Sequence, residues 1–200
     1  VDPDLPLIRA LQAGDDSALD ELIRRHQGSL LHFVYRYLRN EAAARDVVQE
    51  AFVRTYFKAA KFEPRATVKT WVYAIALNLC RDHARRSAKR RGDVSLAVLD
   101  TGSYPNREPA DPHPLPSELA TRSDLFARVR RAIDLLPHKL KSALILCSLE
   151  GMTHQEAAKI LGTSPKTVEL RIYHAKHKLR ELLADEFHGG LSAHLGTQAH

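Results

Sequence analysis

Residues 153–176 read THQEAAKILGTSPKTVELRIYHAK. Thr153 is an N-cap residue ahead of a short apolar run of Ala157, Ala158, Ile160 and Leu161. Gly162 supplies a tight turn, and Ser164-Pro165 restarts a helix with a cap and a proline in its first turn. The paired alanines let two helices approach closely. The second helix has an apolar inner face of Val168, Ile172 and Ala175. This is the grammar of a helix-turn-helix, whose second helix enters the DNA major groove. Ser164, Lys166, Thr167, Glu169, Leu170, Arg171, His174 and Lys176 remain for its outer face and N-terminal end. Arg pairs with guanine edges, and Lys and a helix N-terminus suit phosphates. Glu169 repels phosphate but can accept from a cytosine amino group.

Working outward, residues 119–187 are helical throughout. Leu125, Val129, Ile133 and Leu136 form one stripe, ended by Pro137. Leu140, Leu144, Ile145 and Leu149 form the next, stopped at Gly151. Residues 92–118 differ in kind: five of the ten prolines lie there, among glycine, serine and acids. That composition predicts a linker with little capacity to bury a core. Residues 17–90 return to helix, with Ser17 as the expected first cap and Asn40 as a stop. Leu19, Leu22, Ile23, Leu30, Leu31, Val34 and Leu38 recur at helical spacing. Val47, Val48, Ala51, Phe52 and Tyr56 follow, and Pro64 interrupts. Trp71, Val72, Ile75, Ala76, Leu79 and Cys80 carry a third helix into a basic stretch. Residues 188–200 read as a frayed, disordered tail. No segment reads as a strand, so the expected class is all-α: two small helical domains joined by a Pro-rich linker.

Charge follows the same division. The chain has 200 residues, with 30 Lys and Arg against 24 Asp and Glu, a formal net +6. Residues 1–80 are nearly neutral, 81–92 carry net +5, 93–118 net −4 and 119–187 net +4. Two basic segments separated by an acidic one suggest a polyanionic partner met at two places. Arg81, Arg85, Arg86 and Asn78 follow an aromatic pair at Trp71 and Tyr73, a combination that suits melted nucleic acid. For Trp71 the core anchor is the favoured reading.

Other classes are excluded. No apolar run reaches the ~18 residues of a membrane span, and the first residues lack a signal peptide's pattern. Two cysteines, Cys80 and Cys147, make a disulfide framework improbable and fit buried free thiols in a reducing cytoplasm. His174 and His177 lack a carboxylate–histidine set, and the tail histidines 188, 194 and 200 are widely spaced. With no HExxH, no Ser/His/Asp grammar and no phosphate-binding glycine loop, neither an enzyme nor a cofactor or metal site is expected.

Three ordered stretches together resemble bacterial RNA polymerase sigma factors of the extracytoplasmic-function (ECF) group of the sigma-70 family. DVVQEAFVR (46–54) is similar to the group's D-L-V-Q-E-x-F-x-R helix of region 2. TWVYAIALNLCRDHARR (70–86) is similar to its W-L-x-x-I-A-x-N-x-x-x-D-x-x-R continuation. Residues 136–183, from the Leu-Pro dipeptide to LRELL, resemble region 4. Arg45, Leu77 and Glu169-Leu170 depart from the usual residues.

The resemblance implies region 2 over residues 1–91, a linker over 92–118, region 4 over 119–187 and a tail over 188–200. It implies transcription initiation from promoters with −10 and −35 elements. Asp46, Val48, Gln49, Glu50 and Phe52 would dock on the clamp coiled-coil of core RNA polymerase. Phe62, Arg65, Lys69, Asn78, Arg81, Asp82, Arg85 and Arg86 would meet the −10 element, with loop 62–69 capturing an unstacked base. The helix-turn-helix residues named above would read the −35 element, and region 4 would also hold the polymerase flap. An anti-sigma partner and a cytoplasmic location are further expectations, with no stable membrane insertion. The alternative is a two-domain helix-turn-helix regulator that is not a polymerase subunit. Its sensory half would usually be α/β, which the helical 17–90 segment opposes.

Overall fold

The computed structural model describes residues 2–90 and 118–194, and the expected linker lies almost wholly outside them. Among the described residues all regular structure is helical: α1 (Leu5–Gln12), α2 (Ser17–Leu38), α3 (Glu41–Ala59), α4 (Val68–Arg90), α5 (Glu118–Asp134), α6 (His138–Leu144), α7 (His154–Leu161) and α8 (Pro165–His194). A five-residue π turn, Ile145–Leu149, continues α6. Helix α8 runs through residues 188–194, where the sequence reading expects a tail, and 195–200 lie outside the described residues.

The N-terminal unit is a bundle of α1 to α4. Helix α1 was not anticipated. It is short, but Pro6 pre-sets its first turn and Ile8 is fully buried. Its approach is fixed by buried Asp4, which takes Arg25 at 2.9 Å and His26 at 2.7 Å. Asp2 caps the far end of the bundle, accepting from the Val68 amide at 2.7 Å. The α2–α3 connection is two residues long. Arg39 closes α2 with a left-handed φ of 57°, and Asn40 accepts from the Ala43 amide at 2.9 Å. Helix α2 thus ends just before Asn40, where a stop was expected, and Asn40 itself caps the start of α3. Asp16, not Ser17, precedes α2, and the Asp15 carboxylate accepts from the Ser17 amide at 3.1 Å.

The C-terminal unit comprises α5 to α8. Thr153 and Glu156 form a reciprocal capping box at α7, and Gly162 leaves it with φ +60°. Ser164 accepts from the Thr167 amide at 3.1 Å to open α8. Ala157 is fully buried and Ala158 nearly so, as a close α7–α8 crossing requires.

The two units are in direct contact. Helix α7 packs on α4, and the π turn packs on α2. One hydrophobic core runs from Leu22, Phe33 and Leu77 into Ile145, Leu146, Ile160 and Val168. A smaller core joins Ile133, Leu136 and Leu144 to Ala175. Burying a side chain of this size contributes roughly 1.5–3 kcal/mol, so the junction is a substantial interface.

Candidate nucleic-acid interface

The loop from α3 to α4 builds the most structured part of the site. Phe62 and Trp71 pack with ring centroids 4.6 Å apart. They wall a cavity of about 410 Å³ whose rim carries Lys58, Lys61, Arg65 and Lys159. Glu63 also lines it and pairs with Arg65 at 2.7 Å. An aromatic wall with a cationic rim suits a nucleobase joined to phosphate, since stacking is worth ~1–3 kcal/mol per base. Trp71 packs against the core, the favoured reading, and also lines the cavity. Thr67 holds the head of α4, accepting from the Thr70 amide at 3.2 Å.

Along α4, Lys69 lies 5.9 Å from the Tyr73 ring centroid, and Asn78, Arg85 and Arg86 are exposed. Asp82 is half-buried, with its carboxylate 3.8 Å from Arg85 and its carbonyl accepting from Arg86 at 3.3 Å. Arg81 is turned toward the C-terminal unit, where it donates to His138 Nε2. The Tyr37 hydroxyl bonds the other ring nitrogen. Burial and the nearby cations pull the His138 ring down to about 4, so it is neutral at pH 7. Burial likewise pushes the Cys80 thiol up to about 12, consistent with an inert core cysteine. Cys147 is half-buried and also free.

On α8, Lys166, Glu169, Leu170, His174 and Lys176 are exposed, and Thr167 and Arg171 are half-buried. Lys166 and Glu169 pair at 3.0 Å. Tyr173, absent from the sequence reading, is 62% exposed beside Leu170 on this face. Its i, i+3 spacing from Leu170 was the available signal.

On α3 the structure divides the expected residues. Asp46, Gln49 and Glu50 are exposed, but Val48 and Phe52 are 5% and 4% exposed and belong to the core. Neither can be touched by a partner in this conformation. Helical periodicity is the cause: they share a face with Ala44, Ala51 and Thr55, all fully buried. The apolar residues on the outer face are Val53, Tyr56 and Phe57, the last 75% exposed. Among the described residues no three metal-binding side chains gather, and no helix is long and apolar enough to cross a membrane.

Two family models match in order: Sigma-70 region 2 over residues 22–90 and Sigma-70, region 4 over residues 126–179. The chain belongs to the ECF group of the sigma-70 family. It is 33% identical over 174 residues to the ECF RNA polymerase sigma factor SigE of Mycolicibacterium smegmatis, covering 86% of this chain and 65% of that one. It is 28% identical to the RNA polymerase sigma-H factor of Pseudomonas aeruginosa, covering 90% and 93%. Among solved structures it is similar to CnrH in complex with the cytosolic domain of CnrY, at 28% identity and a TM-score of 0.66, covering 92% of this chain and 99% of that one. In this sigma-70 chain α4 and all of the cavity lining but Lys159 fall in region 2, and Lys159 and the helix-turn-helix fall in region 4.

Proposed function

We propose that this protein is an ECF sigma factor that binds core RNA polymerase and directs promoter-specific initiation. The observation that carries this is the pairing, in one chain, of a cation-rimmed aromatic cavity with a helix-turn-helix. The cavity captures an unstacked base of the −10 element. Pocket binding then offsets the few kcal/mol of unstacking, so melting needs no fuel. Phe62 supplies the stacking face, and Lys69, Asn78, Arg81, Asp82, Arg85 and Arg86 line the adjoining DNA path, with Arg65 at its mouth. Trp71, Lys58 and Lys61 join this set. Helix α8 reads the −35 element through Lys166, Thr167, Glu169, Leu170, Arg171, His174 and Lys176, with Ser164 at its N-terminus.

The polymerase clamp docks on the outer face of α3, where Asp46, Gln49 and Glu50 surround the apolar Val53 and Phe57. Region 2 occupies residues 1–91 and region 4 residues 119–187, with the connection between them. The protein acts in the cytoplasm as an initiation factor rather than an enzyme. A sequestering anti-sigma protein is its expected partner. The solved CnrH relative bound to another protein's cytosolic domain supports that expectation.

The test adds the purified protein to core polymerase on a genomic template library. Defined transcripts that depend on the protein are expected. Absence of both transcripts and core association overturns the reading.

A further inference from the structure

Gln12 is the last residue of α1, and its exposed side chain reaches the loop between α3 and α4. Nε2 donates to the Ala59 carbonyl at 2.9 Å and, more weakly, to the Phe62 carbonyl at 3.4 Å. Ala59 ends α3, where the last carbonyls lack partners within the helix. The same carbonyl accepts from the Phe62 amide at 3.0 Å. One NH2 group therefore ties the end of α3 to the residue that walls the cavity.

Asp2, just ahead of α1, holds the other foot of the loop. One carboxylate oxygen accepts from the Asp4 amide at 3.1 Å and the other from the Val68 amide at 2.7 Å. Val68 is the first residue of α4, whose leading amides also lack helical partners and whose positive end favours a carboxylate. One residue earlier, the Thr67 carbonyl accepts from the Trp71 amide at 3.0 Å. The placement of this foot thus passes to Trp71 within one turn.

The loop has little core of its own. Phe62 is half-buried, and Glu63, Pro64 and Arg65 are exposed. Helix α1, by contrast, cannot slide. Ile8 and Leu11 are buried, and buried Asp4 accepts from Arg25 at 2.9 Å and bonds His26 Nε2 at 2.7 Å. Its eight residues form a stiff spacer about 12 Å long.

We propose that Gln12 and Asp2 are positioning residues for base capture: α1 spaces the two feet of the α3–α4 loop and so sets the opening between Phe62 and Trp71. The spacing rests on geometry alone, whereas its use in capturing a base rests on the promoter-reading role proposed above. Two caps without a positioning role would add stability and leave the cavity wall unchanged.

Trp71 is the single tryptophan of the chain, so its fluorescence reports on that wall directly. The experiment measures acrylamide quenching of Trp71 in the full chain, with helicity checked by circular dichroism and stability by the urea midpoint. Gln12→Met keeps the side chain's length and removes the donor. Asp2→Ala removes the acceptor, and Asp2→Asn keeps an oxygen for the Val68 amide. Losing one neutral hydrogen bond shifts a local opening equilibrium by a factor of about five, so the quenching constant should rise about twofold in Gln12→Met and Asp2→Ala. Asp2→Asn should stay near the wild type, as should Arg9→Ala, an exposed change on the same helix. The second readout is anisotropy of a labelled AT-rich 12-nucleotide single strand with core polymerase present, corrected for core alone. Strand affinity should fall about fivefold in Gln12→Met and Asp2→Ala, with affinity for core polymerase unchanged.

Unchanged quenching in both loss variants, even with a lowered urea midpoint, overturns the spacing. Raised quenching with unchanged strand affinity overturns the positioning role. If Asp2→Ala loses helicity, Gln12→Met decides by the same two criteria. A wild type that binds no strand overturns the base-capture reading instead, and quenching then decides the spacing by itself.

Discussion

Phe52 and Phe57 stand five residues apart on α3 with opposite fates, 4% and 75% exposed. Phe52→Ala should cost about 3–5 kcal/mol in denaturant unfolding, because it leaves a cavity in the bundle. Phe57→Ala should leave stability within about 0.5 kcal/mol. It should weaken association with core polymerase by about 1–2 kcal/mol, as loss of an aromatic anchor does. Titration against core polymerase and a urea melt separate the two. Residue type alone could not sort this helix, since both faces carry aromatics. Phe52 was named because it matches the family motif over 46–54, although it shares the apolar face of Val47, Val48 and Ala51; Phe57 lies outside that motif. Arg81 was legible as a basic residue on a basic helix. Its bond to His138, 57 positions away, had no local signature.

Helix α7 is the element best read in advance. Its cap at Thr153, its stop at Gly162 and the Ser164 start of α8 all appear as expected, because each depends on neighbours within three or four residues. Thr153→Ala should cost about 1 kcal/mol. Hydrogen bonds from Thr153 hold the Glu156 carboxyl below its ordinary 4.5. That contribution is complete above about 4.5 and is lost as pH falls through the lower folded value. Denaturant midpoints between pH 7 and pH 3 should therefore fall less steeply in the alanine variant. On α8, the Lys166–Glu169 pair neutralises the helix's leading charge. Glu169→Gln should tighten binding to a −35 duplex and steepen its salt dependence by about one unit as Lys166 turns to phosphate. Fluorescence anisotropy over several salt concentrations reads this directly. Helix α1 went unread because eight residues give too little periodicity to stand out.

At the scale of the molecule, charge divides the sequence into two basic segments and an acidic one between them, and the two family models fall on the two helical segments. Their mutual packing was not legible. The paired Arg36 and Glu150 are 114 positions apart, and neither the helix that carries Arg36 nor the bend that carries Glu150 signals the other in sequence. Because one core spans both units, a protease site inserted between residues 100 and 110 and then cleaved should leave two pieces that co-elute at neutral pH. Separate elution would mean that only the covalent connection joins them. The π turn at Ile145–Leu149 bears on the same junction. A π turn takes in one residue more than an α turn, and each helical residue advances the chain by about 100°. It works as an indexing step between α6 and the helix-turn-helix, setting the angle at which Glu150 arrives opposite Arg36. Removing one residue there would leave every side chain chemically intact and turn the key out of its lock.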